Sequence, residues 1–142
     1  MYKDILLAVD IEDPEDQRKA VSTAAEYAKA FGSTLHVITV VPTFGLSIVG
    51  SYFPPDYEKK TLEAAKQSLH AFCAQHIPEG VSLQHIVGHG RVYQEILRCA
   101  EEISADLIVM ASHRPGLEDY LVGPNAEKVV RHANCSVLVV RP

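Results

Sequence analysis

No cluster of lysine and arginine occurs in this chain: 13 basic residues are scattered among 18 acids, for a net charge of −5 over 142 residues. Nucleic acid and anionic membrane surfaces demand grouped cations that neutralise phosphates, so neither is an expected partner. Long apolar runs are missing too. None approaches the roughly eighteen residues of a membrane span, so no insertion is expected. The opening MYKDILLAVD has too short an apolar run for a signal peptide and no small-residue cleavage site, which points to a cytoplasmic location. Cysteine is scarce. Cys73, Cys99 and Cys135 lack CxxC spacing and the density of a secreted scaffold, so buried reduced thiols are expected. The seven histidines lack HExxH spacing, and His85 and His89 stand four apart on a strand and turn, which disfavours a metal site. No Walker lysine, catalytic base or magnesium-binding acid pair is recognisable, so efficient phosphoryl transfer is not expected.

What is present is ordinary for a soluble globular protein: 47% hydrophobic and 22% charged residues, in a length that fits one domain over residues 1–142. Lys3–Asp10 reads as a strand, an apolar run ending in an acid. Asp13 is a candidate N-cap before Pro14, with Glu15 and Asp16 favouring the dipole of a helix that Gly32 ends. Ala20, Val21, Ala24, Ala25, Ala28 and Phe31 mark its inner face. Thr34–Val41 is β-branched and apolar, as in a strand covered on both faces. Pro42–Asp56, with two glycines and a Pro-Pro pair, reads as an irregular loop of the kind that is often functional.

A second helix, Tyr57–His76, carries Leu62, Ala65, Leu69 and Phe72 on one face. Val81–Gly88 alternates imperfectly, as suits a sheet edge. A third helix over Arg91–Ile103 turns Ile96, Leu97 and Ala100 inward. Asp106–Ser112 and Ser136–Arg141 are the last strands, flanking a helix Ala126–His132. Strict strand–helix alternation implies an α/β fold: an open parallel sheet of five strands with helices on both faces and right-handed crossovers. Ligands of such sheets bind outside the strand carboxyl ends, where strand order reverses. Asp10, Val40-Val41 and the loop from Ala111 to Asn125 are the segments that can converge there.

Four separated segments, KDILLAVD, TLHVITVVP, SADLIVMASHR and LVGPNAEKVVRHANCSVLVVRP, together resemble the universal stress protein family, specifically its short single-domain bacterial members with an ASHRP loop. The resemblance covers essentially the whole chain. It implies the Rossmann-like strand order 3-2-1-4-5, a bound adenine nucleotide (ATP or another, with or without Mg2+) acting as a regulatory ligand in stress response, and a homodimer through the C-terminal strand. Nucleotide-binding members carry a loop resembling Gly-x2-Gly-x9-Gly-(Ser/Thr). Here Ala111 and Arg114 stand at the first two glycine positions, Gly123 closes the loop one residue early, and Pro124 replaces the hydroxyl residue.

Each departure has a physical consequence. Glycines let backbone N–H groups approach a phosphate. Ala111 is a small change. Arg114 loses that freedom but brings a guanidinium that could contact phosphate directly. Pro124 removes a backbone donor and a hydroxyl. Asn125 is the candidate N-cap that would compensate, at a helix start whose N–H groups still favour an anion.

Asp10 matches the acid that meets adenine or ribose in relatives; its alternative role is to cap local N–H groups. Val40 would offer backbone groups to the adenine edge, and Met110 with Ala111 would line the ribose. Ser112 is placed to cap the loop, and His113 to contact phosphate or a neighbouring subunit. A Ser112–His113 catalytic dyad is disfavoured, because neighbours on a strand face opposite ways and no third group orients the imidazole. Lys128 and Arg131 could neutralise phosphate but fit a solvated helix face better. Val137–Val140 is an apolar edge that invites pairing with a second copy. Two other readings stand beside nucleotide binding: a nucleotide-independent dimeric module with a regulatory protein partner, and a slow ATPase.

Overall fold

The five apolar runs pair in parallel into one sheet in the computed structural model, whose described residues are 1–42, 56–112 and 124–142. The strands are β1 (Asp4–Ala8), β2 (Thr34–Pro42), β3 (Ser82–Gly90), β4 (Leu107–Ala111) and β5 (Ser136–Val140), in the order β3-β2-β1-β4-β5. Among the described residues four helices join them: α1 (Pro14–Phe31), α2 (Tyr57–His76), α3 (Val92–Glu102) and α4 (Pro124–His132). The order matches the one implied by the family resemblance. β3 lies at an edge, as its broken alternation suggests.

Central β1 is apolar at every position after Asp4 because both of its faces are covered. Ile5 and Leu7 pack with Val21, Ala24, Leu35, Val37 and Val109 under α1 and α2. Leu6 packs with Ile38, Ile96, Ile108 and Val129 under α3 and α4. Ile5, Leu6 and Leu7 are fully buried, each contributing about 1.5–3 kcal/mol through removal of apolar area from water. The alanine stripe of α1 leaves little bulk between helix and sheet, so the helix seats closely on β1 and β4.

The strand ends differ from expectation where side chains intervene. β1 stops at Ala8, two residues before Asp10, although the Val9 N–H still donates to the Ile38 carbonyl at 2.9 Å. Asp106 is not part of β4: its carboxylate accepts the N–H groups of Lys3 (2.9 Å) and Asp4 (3.2 Å), tying the starts of β1 and β4 together. At the same end of the sheet, buried His36 joins three strands, bonding Asp4 at 2.9 Å and Gln84 through its other nitrogen. β3 runs to Gly90, pairing it with Pro42. Gly88 fits closely here: a Cβ would meet Glu95 Cβ at 3.3 Å and Ile38 and Val40 methyls at 3.4 Å, so a larger residue would have to push these neighbours aside. α3 can therefore lie directly on the strand end.

Three helix expectations need correction. Asp13 occupies the N-cap of α1 but makes no capping bond with its side chain. Its pKa is raised, first by desolvation and then by a hydrogen bond with Asp16 and by that neighbour's charge. Phe31, the last residue of α1, is 39% exposed and meets Tyr2 and Tyr27 edge-on, because the helix ends beyond the sheet's cover. α4 starts at Pro124, so Asn125 is its second residue and not its cap. Proline's fixed φ suits the first helical position and explains the earlier start. Gly32 ends α1 as expected, in the left-handed conformation at φ 65°. The predicted loop after Pro42 falls on residues 43–55, outside the described residues.

Candidate functional site

Strands β1 and β4 lie side by side, but the chain visits β2 and β3 on one side before returning to β4 on the other. Their carboxyl ends therefore frame the crevice at which strand order reverses. A cavity of about 670 Å3 opens there, within the range of small-molecule sites. Each of the four described helices contributes residues to the wall. The starts of α1, α3 and α4 line it, and their first-turn N–H groups and dipoles make it electropositive at the backbone level.

Seven of the ten site residues expected from sequence line this one cavity: Asp10, Val40, Met110, Ala111, Ser112, Pro124 and Asn125. His113, Arg114 and Gly123 lie outside the described residues. Asp10 is exposed, and its Oδ1 accepts the Glu12 N–H at 3.0 Å, the local turn-closing role that was the alternative to ligand contact. Its own N–H donates to Gln17 Oε1 at 3.3 Å, fastening the turn to α1.

Ser112 follows β4, with its N–H held by the Val140 carbonyl at 2.8 Å. Alternation along β4 puts it on the same face as Ile108 and Met110, the face that α4 covers. It is 3% exposed, and its hydroxyl has no hydrogen-bond partner among the described residues.

Side-chain charge opposes the backbone. The described wall carries four carboxylates, Asp10, Glu12, Asp13 and Asp16, and no lysine, arginine or histidine. Neither candidate cation of α4 lines it: Lys128 sits 4.7 Å above the Tyr93 ring, and Arg131 pairs with Glu127 at 3.3 Å. Three or more His, Cys, Asp or Glu arranged to hold a metal do not occur among the described residues. His85 instead stacks on His70 with ring centroids 3.7 Å apart, and His89 pairs with Glu58 at 3.1 Å. The three thiols are free, and burial pushes those of Cys73 and Cys99 up to about 11. Cys135, expected to be buried, is only partly so.

Sequence reasoning missed Gln17, Thr39, Thr61 and Ser68, which also line the cavity. For Gln17 a signal existed, since 13, 17, 20, 21 and 24 continue the inward stripe of α1 one turn toward its start. For Thr61 and Ser68 none did, because polar residues on a helix face read as solvated.

A model of the universal stress protein family matches residues 1–141. The chain belongs to that family. Universal stress protein G of Escherichia coli O157:H7 is 33% identical over 144 residues, covering 99% of this chain and all of the relative. A universal stress protein family member from Burkholderia pseudomallei, solved as a crystal structure, is 27% identical with a TM-score of 0.71, covering 98% of this chain and 96% of its own. Two more distant universal stress proteins share the fold. One, solved in complex with cAMP, is 20% identical with a TM-score of 0.69 over 98% of this chain and 97% of its own. The other, from Archaeoglobus fulgidus in complex with dAMP, is 22% identical with a TM-score of 0.58 over 97% of each chain. No helix among the described residues of this universal stress protein is long and apolar enough to cross a membrane.

Proposed function

We propose that the cavity binds an adenine nucleotide, ATP or another, as a regulatory ligand in a stress response. The observation that carries this reading is the gathering of Asp10, Val40, Met110, Ala111, Ser112 and the start of α4 around one cavity at the reversal of strand order. Backbone groups at the end of β2 suit the hydrogen-bonding edge of adenine. Asp10 and Ala111 flank the space for ribose, and the first turn of α4 offers N–H groups to phosphate. The complexes of two fold relatives with cAMP and dAMP support the same ligand class. We propose further that the protein forms a homodimer through Val137–Val140, since β5 ends the sheet and carries a run of four apolar residues. Such a dimer could present a regulatory surface to a protein partner.

Melting temperature against nucleotide concentration tests the reading. Ligand at a hundred times its Kd stabilises the folded state by about 2.7 kcal/mol. A clear upward shift with an adenine nucleotide is expected. No shift at millimolar concentration, with or without Mg2+, would contradict it and favour a nucleotide-independent interaction module, the reading that Pro124 and the acidic wall support.

A further inference from the structure

We infer that two histidines of β3, His85 and His89, tie the cavity-lining half of α2 to the sheet and make the cavity's hold on its ligand weaken as pH falls. The inference rests on the nucleotide reading above and adds a regulation to that site.

The wall that α2 gives the cavity has little core behind it. Thr61, Ala64, Ala65 and Ser68 line the cavity, and burial in the core begins only at Leu69, continuing through Phe72 and Cys73. About three turns of helix therefore stand beside a space and not against packed side chains. A segment with few buried apolar contacts opens at lower free energy than the core does. Two contacts from β3 reach this half. Alternation along the strand sets His85, Val87 and His89 on one face, the face that α2 covers. His85 stacks on His70, with ring centroids 3.7 Å apart and planes 21° from parallel, just after the cavity-lining stretch. His89 Nδ1 meets Glu58 Oε1 at 3.1 Å, just before it. An imidazole thus holds the wall at each end.

The two ties answer acid in opposite ways. Neutral rings attract when stacked, whereas two imidazolium rings at this separation repel. Desolvation first, and then the charge of His70, hold the His85 pKa below its ordinary 6.5, so the seated helix favours the neutral ring. Seating therefore releases a proton below pH 6.5. The contribution of the stack is complete above that pH and is lost as pH falls below it. The His89–Glu58 contact, by contrast, is an ion pair only when His89 is protonated. Glu95 of α3 lies beside it, accepting the His89 N–H at 3.4 Å and bound in turn by Arg98 at 2.6 Å. The β2 neighbours of the two histidines are apolar, Val37 and Val41. On α2, Glu63 and Lys66 precede His70 by about two turns and one turn. Acidification thus releases the middle of α2 while its start stays fastened, and the wall between them loosens.

Calorimetric titration of the full chain with adenosine at pH 7.5 and pH 5.5 tests this. Adenosine is the probe because a phosphate would itself titrate at about pH 6. Release of one proton on seating permits up to about tenfold per pH unit, so the wild type should bind roughly three- to tenfold more weakly at pH 5.5. His85→Gln should hold its affinity within about twofold, and Glu58→Gln, which removes the charge of the outer tie, should deepen the fall. Equal wild-type affinity at the two pH values, or an equal fall in His85→Gln, would overturn the inference and leave the nucleotide reading intact. A second readout needs no ligand. Hydrogen-exchange protection of the Thr61, Ala64 and Ala65 amides, corrected for intrinsic rates, should drop several-fold from pH 7.5 to pH 5.5 and stay level in His85→Gln. If adenosine does not bind at millimolar concentration at either pH, the nucleotide reading fails; level protection in the wild type would overturn the tie itself.

Discussion

Pro124 decides what the start of α4 can offer a ligand. As the first helical residue it suits the backbone, yet it brings neither an N–H nor a hydroxyl to the cavity wall. Pro124→Ser should restore both, raising affinity for an adenine nucleotide several-fold in calorimetric titration. Its stability cost should be small, about 0.4–1 kcal/mol from the looser unfolded chain. A fall in nucleotide affinity would contradict this account. Gly88 governs packing in the same direct way. Gly88→Ala puts a methyl against Glu95, Ile38 and Val40 at 3.3–3.4 Å. Overpacking of this kind costs about 1–3 kcal/mol, measurable as a lower urea midpoint. At this scale the sequence identified which residues meet at the crevice, because they follow strands. It did not reveal which of their polar atoms are spent. Asp10 closes its own turn through Glu12, while Ser112 keeps a hydroxyl in hand; only coordinates separate the two.

Among the elements, α2 divides its length between two tasks. Leu69, Phe72 and Cys73 are buried in the core, whereas Thr61, Ala64, Ala65 and Ser68 face the cavity. Its apolar spacing predicted one continuous inward face with Leu62 and Ala65; both are only half-buried, and beneath Ala65 lies the cavity and not the core. Between the two halves, His70 stacks on His85 of β3. Desolvation, then the charge of His70, lowers the His85 pKa from its ordinary 6.5. Below 6.5 the unfolded chain therefore takes up more protons than the folded one. The stabilising contribution of this neutral ring is present above that pH and is lost as pH falls through it. Urea midpoints should drop between pH 7.5 and pH 5.5, and drop less in His85→Gln; equal slopes in both proteins would contradict the stacking account. Helix extents were legible to within two residues, since apolar spacing and Gly32 mark them. The full two residues are missed at the start of α4, where Asn125 read as the cap and the helix begins at Pro124.

For the whole molecule, strand–helix alternation gave a parallel sheet, but it does not order five strands by itself. The order followed from four family-like segments, and the pairing of β1 with both β2 and β4 agrees with it. The site's location then follows from topology, while its ligand does not, since that depends on individual donors and charges. Two outcomes belong at this scale. Leu7→Ala should cost about 2–5 kcal/mol, because Leu7 is fully buried between β2 and β4 under α1; a loss under 1 kcal/mol in urea unfolding would contradict that packing. Val140 turns its carbonyl toward β4, so the N–H of Val139 faces the outer edge of the sheet. Val139→Pro should therefore convert the proposed dimer to a folded monomer in sedimentation velocity, and an unchanged sedimentation coefficient would contradict dimerisation through this strand.

The most direct test of nucleotide binding is an amide 1H–15N spectrum of the labelled protein titrated with AMP. The account predicts shifts that saturate at Val9, Asp10, Thr39, Val40, Ala111, Ser112, Asn125 and Ala126, around the large cavity. Amides of the smaller, 220 Å3 cavity at Glu101, Asn134 and Cys135 should stay in place. An unperturbed spectrum at millimolar AMP, or shifts confined to that second cavity, would contradict it.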